Sequence, residues 1–416
     1  MISRYAWYLR ILFRQVWLRV ASFALLALVS VWVARIASAY LPEDMALRTG
    51  SDAVGQLLNV LTSSMLAVTT FSLSIAVAAF AAASSNATPR AAVLLQQDHT
   101  TQNVLATFLG AFVFGLVGLI TLNAKLYDES SRFVIFAVTV AVIGLVVLAL
   151  IRWIDHLMTF GRIGNTLDRV EAATSEAMKT RLRDPYLGGV CLTVIPDSAT
   201  RVIAARATGY VQHIDMQALQ DCAQTIDAPV YLACLPGKFV TVGEPLLRTT
   251  ASNIGKAHED SLCAAVTLGK RRTFDGDPRF GLIVLAEIAS RALSPAVNDP
   301  GTAIDILGRL VRLLALWRED PEPTRKFSKI HVPPITAEDM IEDAFRPIAR
   351  DGAGLVEVQI RLQKALLSIS RVCPDDLAKA AKGMARDAVI RAEASDLVPA
   401  DMAVIRAAAA PFQTAR

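Results

Sequence analysis

Four apolar runs lie within the first 155 residues of this 416-residue chain, and no comparable run follows them. They cover residues 20–40, 59–83, 104–123 and 133–154. A helix needs roughly 20 mainly apolar residues to cross about 30 Å of hydrocarbon, so each run is long enough to span a bilayer. We therefore predict an α-helical membrane domain of four transmembrane helices, residues 1–158, followed by a large soluble region.

Basic residues predict the orientation of these spans. Four arginines precede the first run and two lie at or beyond the end of the fourth: Arg4, Arg10, Arg14, Arg19, Arg152 and Arg162. Basic residues near span ends stay on the cytoplasmic side, so both termini are predicted to be cytoplasmic. The first run is full length and lacks a clean cleavage pattern, which favours an uncleaved anchor over a signal peptide.

The second run is distinguished by its polar side chains. No run places a charge at its centre, which argues against a proton-coupled carrier, because such proteins keep ionisable groups at mid-membrane. The second run instead carries uncharged polar groups at helical spacing: Asn59, Thr62, Ser63, Thr69, Thr70 and Ser72. Two interpretations stand. These groups hydrogen-bond to neighbouring helices or to their own carbonyls, which is the commoner role, or they line a pore between several chains.

Small residues in the third run predict close helix packing. Ala111, Gly115 and Gly118 recur at intervals of four and three, which keeps them on one side of a helix. After the second run, Pro89 disfavours a helical conformation at Thr88, so the helix is predicted to end or kink there.

The soluble region is predicted to be a cytoplasmic α+β region. Residues 159–186 carry apolar side chains at helical spacing and form a linker helix, and residues 253–416 are predicted to be helical, beginning with a helix over 256–268. Between them, residues 187–252 alternate apolar and polar side chains between glycine and proline breaks, as in a small β-barrel or sandwich-like module. The segment 236–247 resembles lipoyl-like domains, but it lacks the hairpin-tip lysine of a carrier, which makes the module structural.

Residues that carry chemistry are sparse. The soluble region holds five cysteines without CxxC spacing or histidines at metal spacing, so free thiols and no metal site are expected: Cys191, Cys222, Cys234, Cys263 and Cys373. The sequence contains no phosphate-binding loop, zinc-protease motif or nucleophile elbow. We therefore predict no catalytic residue, no cofactor and no nucleic-acid partner. The expected partners are the lipid bilayer and further copies of the chain.

Two strings in the soluble region are distinctive. Residues 272–281 read RTFDGDPRFG, and residues 291–303 read RALSPAVNDPGTA. Together with residues 72–77 and 84–90, they resemble the bacterial membrane-protein family catalogued as domain of unknown function 2254. The resemblance runs over most of the chain. It implies a multi-pass protein of the bacterial inner membrane with this layout, and it implies no reaction.

The second string is interpreted as a structural motif made by Arg291, Asn298, Asp299 and Pro300. Asp299 is suited to cap a helix that Pro300 begins, and a neighbouring arginine commonly pairs with a carboxylate or with helix carbonyls. The alternative interpretation makes Asp299 or Asp277 an acid or a metal ligand with Arg291 as its partner.

The sequence is compatible with two functions. The first is a homo-oligomeric ion channel or permeation pathway, with the second span nearest the axis and the soluble region as a cytoplasmic vestibule or gate. The second is a membrane-anchored scaffold or sensor that binds a cytoplasmic partner or ligand. An enzyme is disfavoured, because no convergent set of acid, base and nucleophile is evident in the sequence.

Overall fold

The computed structural model describes residues 51–96, 98–124, 129–318 and 325–414, together with eight separate helical positions between residues 18 and 33. The described residues divide into two compact units, one ending at Thr166 and the other beginning at Leu167. Most of the first predicted span lies outside the described residues.

The first unit, called the membrane unit, consists of helices. Four are described from residue 51 onward: α1 (Ser51–Asn86), α2 (Pro89–Gln96), α3 (His99–Asn123) and α4 (Glu129–Leu157). Among the described residues, α1, α3 and α4 are long and apolar enough to cross a membrane. The second, third and fourth predicted spans are therefore confirmed as long apolar helices.

The break between α1 and α2 falls where the sequence predicts it. Pro89 is the first residue of α2, and the Thr88 hydroxyl oxygen accepts a hydrogen bond from the Ala91 backbone N–H at 3.2 Å. A side-chain cap at this position satisfies one of the free N–H groups of the new helix. The chain therefore turns after Asn86 without leaving the first turn of α2 uncapped.

Close packing between α1 and α3 depends on missing side chains. Gly115 and Gly118 of α3 are buried. A Cβ atom on Gly115 would overlap the Thr62 hydroxyl and lie 3.3 Å from the Leu58 carbonyl oxygen, and one on Gly118 would lie 3.1 Å from the Leu58 side chain. Small residues allow two membrane helices to approach closely, which maximises their van der Waals contact. Ala111 is fully buried on the same helix.

This packing predicts a position-specific loss of stability. Gly115→Ala should lower the free energy of unfolding by about 1–3 kcal/mol, because the added methyl group displaces α1. Gly144→Ala on α4 is the matched control, since a Cβ there meets nothing within 4 Å. Thermal unfolding in detergent measures both variants. The combination Gly115→Ala with Thr62→Ala should recover part of the loss, and equal melting temperatures for Gly115→Ala and Gly144→Ala would contradict the packing.

The second unit, called the soluble unit, contains two β-sheets. Its first helix, α5 (Ile163–Arg183), begins just before the boundary between the units. The strands are β1 (Val190–Cys191), β2 (Arg201–Ala204), β3 (Gly209–Ile214), β4 (Val230–Leu232), β5 (Phe239–Val240), β6 (Pro245–Thr249), β7 (Val266–Gly269) and β8 (Ile330–Val332). One sheet has the order β1-β8-β4-β6-β2, and the other has the order β5-β3-β7.

The two sheets differ in the direction of their strands. In the five-stranded sheet, β8 runs parallel to both β1 and β4, whereas the other pairs are antiparallel. The three-stranded sheet is antiparallel throughout. Buried side chains from both sheets, including Val211, Val240 and Leu247, contribute to one hydrophobic core.

Two strands lie outside the predicted β module, 187–252, and a helix, α6 (Met216–Thr225), lies within it. The helix predicted over 256–268 ends earlier, because α7 covers Lys256–Ala264 and β7 follows it. Burial of Val266 in the shared core and pairing with β3 favour a strand there. β8 begins only at Ile330, and its pairing with β4 is a long-range contact that local periodicity does not reveal.

Helices form the rest of the soluble unit. They are α8 (Pro278–Ala292), α9 (Pro300–Leu314), α10 (Ala337–Asp351), α11 (Val356–Val372), α12 (Asp375–Glu393), α13 (Pro399–Ala409) and the short α14 (Pro411–Thr414). Asp277, Asp299 and Thr336 cap α8, α9 and α10 through their side-chain oxygens. Each cap accepts a hydrogen bond from a backbone N–H of the first turn, which fixes where these helices begin.

Candidate functional site

The candidate functional surface of the membrane unit is one face of α1. No Asp, Glu, Lys, Arg or His lies between residues 53 and 89, and α1 itself has 36 residues. At 1.5 Å per residue the helix is about 54 Å long, well beyond the roughly 30 Å of bilayer hydrocarbon. Apart from Asp52 in its first turn, α1 carries its polar side chains as hydroxyls and amides alone.

One side of α1 is exposed and holds no charged and no buried residue, and the exposed apolar residues Val60 and Val77 share it. Small and polar residues recur on it at intervals of three or four, and all are exposed among the described residues: Gln56, Asn59, Ser63, Ala67, Thr70, Ser74, Ala78, Ala81 and Ser85. We call this set the α1 outer face. It lies opposite the buried residues Val54, Leu58 and Met65, which pack in the membrane unit.

The sequence-predicted stripe is divided between the two sides of α1. Asn59, Ser63 and Thr70 lie on the α1 outer face. The other three turn toward the inner side, with Thr62 against Gly115, Thr69 half-buried and Ser72 only 1% exposed. Thr62 and Ser72 therefore occupy packing positions on the inner side of α1. Asn59, Ser63 and Thr70 are exposed instead.

The hydroxyls of α1 donate to their own helix. Thr62, Ser63, Thr69, Thr70 and Ser74 each donate a hydrogen bond to the carbonyl oxygen four residues earlier, at 2.6–2.9 Å. This arrangement removes the cost of an unsatisfied donor in hydrocarbon. The oxygen lone pairs of Ser63, Thr70 and Ser74 still point from an exposed surface and can accept hydrogen bonds from water.

A buried polar cluster lies where α3 begins and α4 ends. Asp98 caps α3, and its Oδ2 atom accepts from the Thr101 backbone N–H at 2.8 Å and from the Thr101 hydroxyl at 2.6 Å. His156 Nε2 lies 2.9 Å from the same oxygen, and the two side chains are 12% and 7% exposed. The sequence analysis missed this cluster, because Asp98 and His156 are far apart in the chain and neither belongs to a motif.

The cluster is connected to the last turns of α1. The rings of His156 and Phe160 are 4.9 Å apart, and Phe160 meets Phe80 of α1 edge to face at 5.8 Å. Gly161 adopts a positive φ of 81°, and a Cβ there would lie 3.1 Å from the Ala79 methyl group. One end of α1 is therefore held by the residues that follow α4.

In the soluble unit, the string 272–281 forms a buried charged cluster. Arg272 donates two hydrogen bonds to Asp277, at 2.6 and 3.2 Å, and its guanidinium lies 5.4 Å from the centre of the Phe280 ring. Arg181 of α5 donates to the Gly276 carbonyl oxygen at 3.1 Å. Burial lowers the pKa of Arg181 to about 10, against the opposing charge of Asp277. Burial likewise raises the pKa of Asp277, although its hydrogen bonds to Arg272 act in the other direction.

This cluster holds the start of α8. The Asp277 side chain also accepts from the Phe280 backbone N–H at 3.2 Å, so one carboxylate both caps the helix and binds Arg272. Gly237, in the turn before β5, has a φ of 95°, and a Cβ there would overlap the Asp277 carboxylate. The string therefore joins α5, α8 and the turn at Gly237 rather than presenting a free carboxylate.

The string 291–303 has a structural cap and an exposed loop. Asp299 Oδ1 accepts from the Thr302 backbone N–H at 3.0 Å and its Oδ2 from the Thr302 hydroxyl at 2.5 Å, and both bonds lower the pKa of Asp299. Pro300 is the first residue of α9. Asn298 adopts a left-handed conformation with φ 51°, and Arg291 is exposed in the last turn of α8.

The described parts of the chain contain no group of three or more His, Cys, Asp or Glu side chains arranged for a metal ion. All five cysteines are free thiols. Burial raises the pKa of Cys234 to about 12 and raises that of Cys222, so these two thiols are poor nucleophiles at neutral pH.

Long apolar helices followed by a large α/β unit define a helical membrane protein. The family described as predicted membrane proteins, domain of unknown function 2254, matches residues 14–368, and the chain belongs to it. Uncharacterized proteins of Mycobacterium bovis and Mycobacterium tuberculosis are 29% identical over 289 residues, which cover 67% of this chain. The chain spans 55% of the length of these relatives. No solved structure shows a significant match.

The contact between Gly237 and the charged cluster predicts that two glycines with similar backbone conformations differ in the stability lost on substitution by alanine. Gly237→Ala should destabilise the soluble unit more than Gly243→Ala, because both have positive φ but a Cβ on Gly243 meets nothing within 4 Å. Left-handed strain costs each variant roughly 1–2 kcal/mol, and overlap with Asp277 adds about 1–3 kcal/mol for Gly237→Ala alone. Denaturant unfolding followed by circular dichroism measures both. Equal losses would show that the Gly237 turn does not pack against Asp277.

Proposed function

We propose that this protein is a homo-oligomeric membrane channel or permeation pathway in which the α1 outer face lines the path. The observation that carries the proposal is the exposed, charge-free series of small and polar side chains along α1, from Gln56 to Ser85. A face on the outside of one copy encloses a path only when several copies pack around it. The proposal therefore includes a closed oligomer with α1 of each copy nearest the axis.

The composition of the face supports a path with little charge selectivity. Channels select between cations and anions with rings of charged side chains or of oriented carbonyls. The α1 outer face offers hydroxyls that already donate to their own helix, amides at Gln56 and Asn59, and methyl groups at Ala67, Ala78 and Ala81. Such a surface accepts hydrogen bonds from water without binding one ion strongly.

We also propose a location and a means of regulation for the protein. The protein lies in the bacterial inner membrane with both termini in the cytoplasm, and its role is not catalytic. The soluble unit acts as a cytoplasmic vestibule or gate. The contact of Phe160 and Gly161 with the last turns of α1 supports a mechanical connection between the end of α4 and the path.

Cysteine substitutions test whether the α1 outer face lines the path. Purified protein is reconstituted in planar bilayers, and a membrane-impermeant, positively charged thiol reagent is added to Ser63→Cys, Thr70→Cys and Ser74→Cys. Each reagent adduct narrows the path and adds a charge, so the current should fall by more than half. Unsubstituted protein shows the effect of the five native cysteines.

Leu148→Cys is the matched control, because Leu148 lies on α4 with 59% of its side chain exposed. The reagent should leave its current unchanged. Bilayers that stay silent with protein of verified orientation, or a monomeric mass in mild detergent, would contradict the channel. Equal block at Leu148 and Thr70 would contradict the assignment of the path to α1.

A second candidate is a membrane-anchored scaffold or sensor that binds a cytoplasmic partner or ligand. The exposed loop between α8 and α9 favours it, because Val297 is 49% exposed beside the left-handed Asn298. Binding residues lie disproportionately on loops that a rigid scaffold positions. Capture of one specific partner that Val297→Asp abolishes, together with silent bilayers, would support this candidate over the channel.

A further inference from the structure

The three-stranded sheet of the soluble unit presents an aromatic pair on its outward side. Tyr210 of β3 is the cross-strand partner of Phe239 on β5 and of Gly269 on β7. The Tyr210 and Phe239 rings lie 5.0 Å apart, edge to face, and Phe239 is 51% exposed. Their neighbours Val211 and Val240 are buried in the shared core, as the alternation of a strand requires.

Three exposed basic residues border this pair. Lys238 directly precedes Phe239, and Lys270 and Arg271 directly follow Gly269. Lys238 Nζ donates to the Ala233 carbonyl oxygen at 3.1 Å. Across the described ranges, Lys270 and Arg271 are in no ion pair. We call Tyr210, Lys238, Phe239, Lys270 and Arg271 together the aromatic-basic surface.

Most of the charged side chains near these three cations are paired with one another, which leaves the cations able to bind a ligand. Arg206 is paired with Asp260, and Arg272 with Asp277. The exposed acids of the adjoining turns are Glu244 and Asp275, and Glu244 accepts a hydrogen bond from the Thr241 backbone N–H at 3.2 Å. The surface therefore carries a small excess of positive charge around an exposed aromatic ring.

We infer that the aromatic-basic surface binds the anionic phospholipid headgroups of the membrane that the chain itself crosses. Aromatic rings favour the headgroup level of a bilayer, where an apolar body meets water, and lysine or arginine near an anionic leaflet adds electrostatic attraction. The soluble unit is joined to the membrane unit in one chain, which raises its effective concentration at the lipid surface. This binding does not depend on the proposed path along α1.

The composition favours lipid over a second copy of the chain. Lysine is depleted at the centres of protein interfaces, whereas two of the three cations here are lysines beside an exposed phenylalanine. A mixture of lysine and aromatic residues is typical of segments that lie in a membrane interface. Lipid binding also requires no rearrangement of the neighbouring ion pairs Arg206–Asp260 and Arg272–Asp277.

Quenching by brominated lipid tests the contact in the full-length protein. Phe239→Trp is placed in nanodiscs of phosphatidylcholine alone or with phosphatidylglycerol, and the spectrum of unsubstituted protein is subtracted to remove its five tryptophans. Bromine on the lipid chains should quench the added tryptophan strongly in phosphatidylglycerol nanodiscs, and less in phosphatidylcholine or at high salt. Val194→Trp is the matched control, because Val194 is 77% exposed and lies outside the aromatic-basic surface. Its fluorescence should be quenched weakly in every nanodisc.

Removal of the three basic side chains is a second test of lipid binding. Lys238→Ser, Lys270→Ser and Arg271→Ser are combined with Phe239→Trp, and an unchanged circular dichroism spectrum verifies the fold. Each lost charge should weaken lipid binding about fivefold, so quenching in phosphatidylglycerol should fall toward the phosphatidylcholine level. Lipid-independent quenching or equal quenching of the Val194→Trp variant would overturn the inference. A blue-shifted emission from the Phe239→Trp variant that bromine does not quench would also overturn it, by indicating a protein partner.

Discussion

A bilayer offers no water to backbone or side-chain polar groups, and the membrane unit is organised by that constraint. Every donor within hydrocarbon must find an acceptor inside the protein. The hydroxyls of α1 find their acceptors within the same helix, because Ser63, Thr70 and Ser74 each donate a hydrogen bond to the carbonyl oxygen one turn earlier. A helix that satisfies its own hydroxyls does not need a neighbour on that side, so α1 can present a polar face to water without instability in the monomer.

The same packing arrangement, a glycine of one helix against a threonine of another, occurs in both units. Gly115 of α3 fits against Thr62, and Gly281 of α8 fits against Thr174 of α5 in the soluble unit. In both pairs the threonine hydroxyl donates to its own helix, Thr62 to Leu58 at 2.7 Å and Thr174 to Val170 at 2.6 Å. The bonded threonine needs no further acceptor, and the glycine opposite it gives the two helices room. Local hydrogen bonding thus permits close helix contact in both units.

Local chemistry made much of the fold predictable. Proline and aspartate pairs mark the starts of α8 and α9, and apolar runs mark three long helices. Long-range contacts were not predictable in this way: β8 joins its sheet from far along the chain, and Asp98 meets His156 only after α3 and α4 pair. The polar stripe was visible in the sequence, but its division into an inner Thr62 and an outer Thr70 required the packing of α3.

Water access along α1 is the most direct test of the central claim. Nitroxide labels at positions 63, 70 and 74, scanned with a water-soluble nickel relaxation agent and with oxygen in nanodiscs, report whether each position faces water or lipid. We predict that nickel accessibility exceeds oxygen accessibility at all three positions, and that the order reverses at position 148 of α4. Oxygen-dominated relaxation at Ser63, Thr70 and Ser74 would place the α1 outer face in lipid and contradict the path.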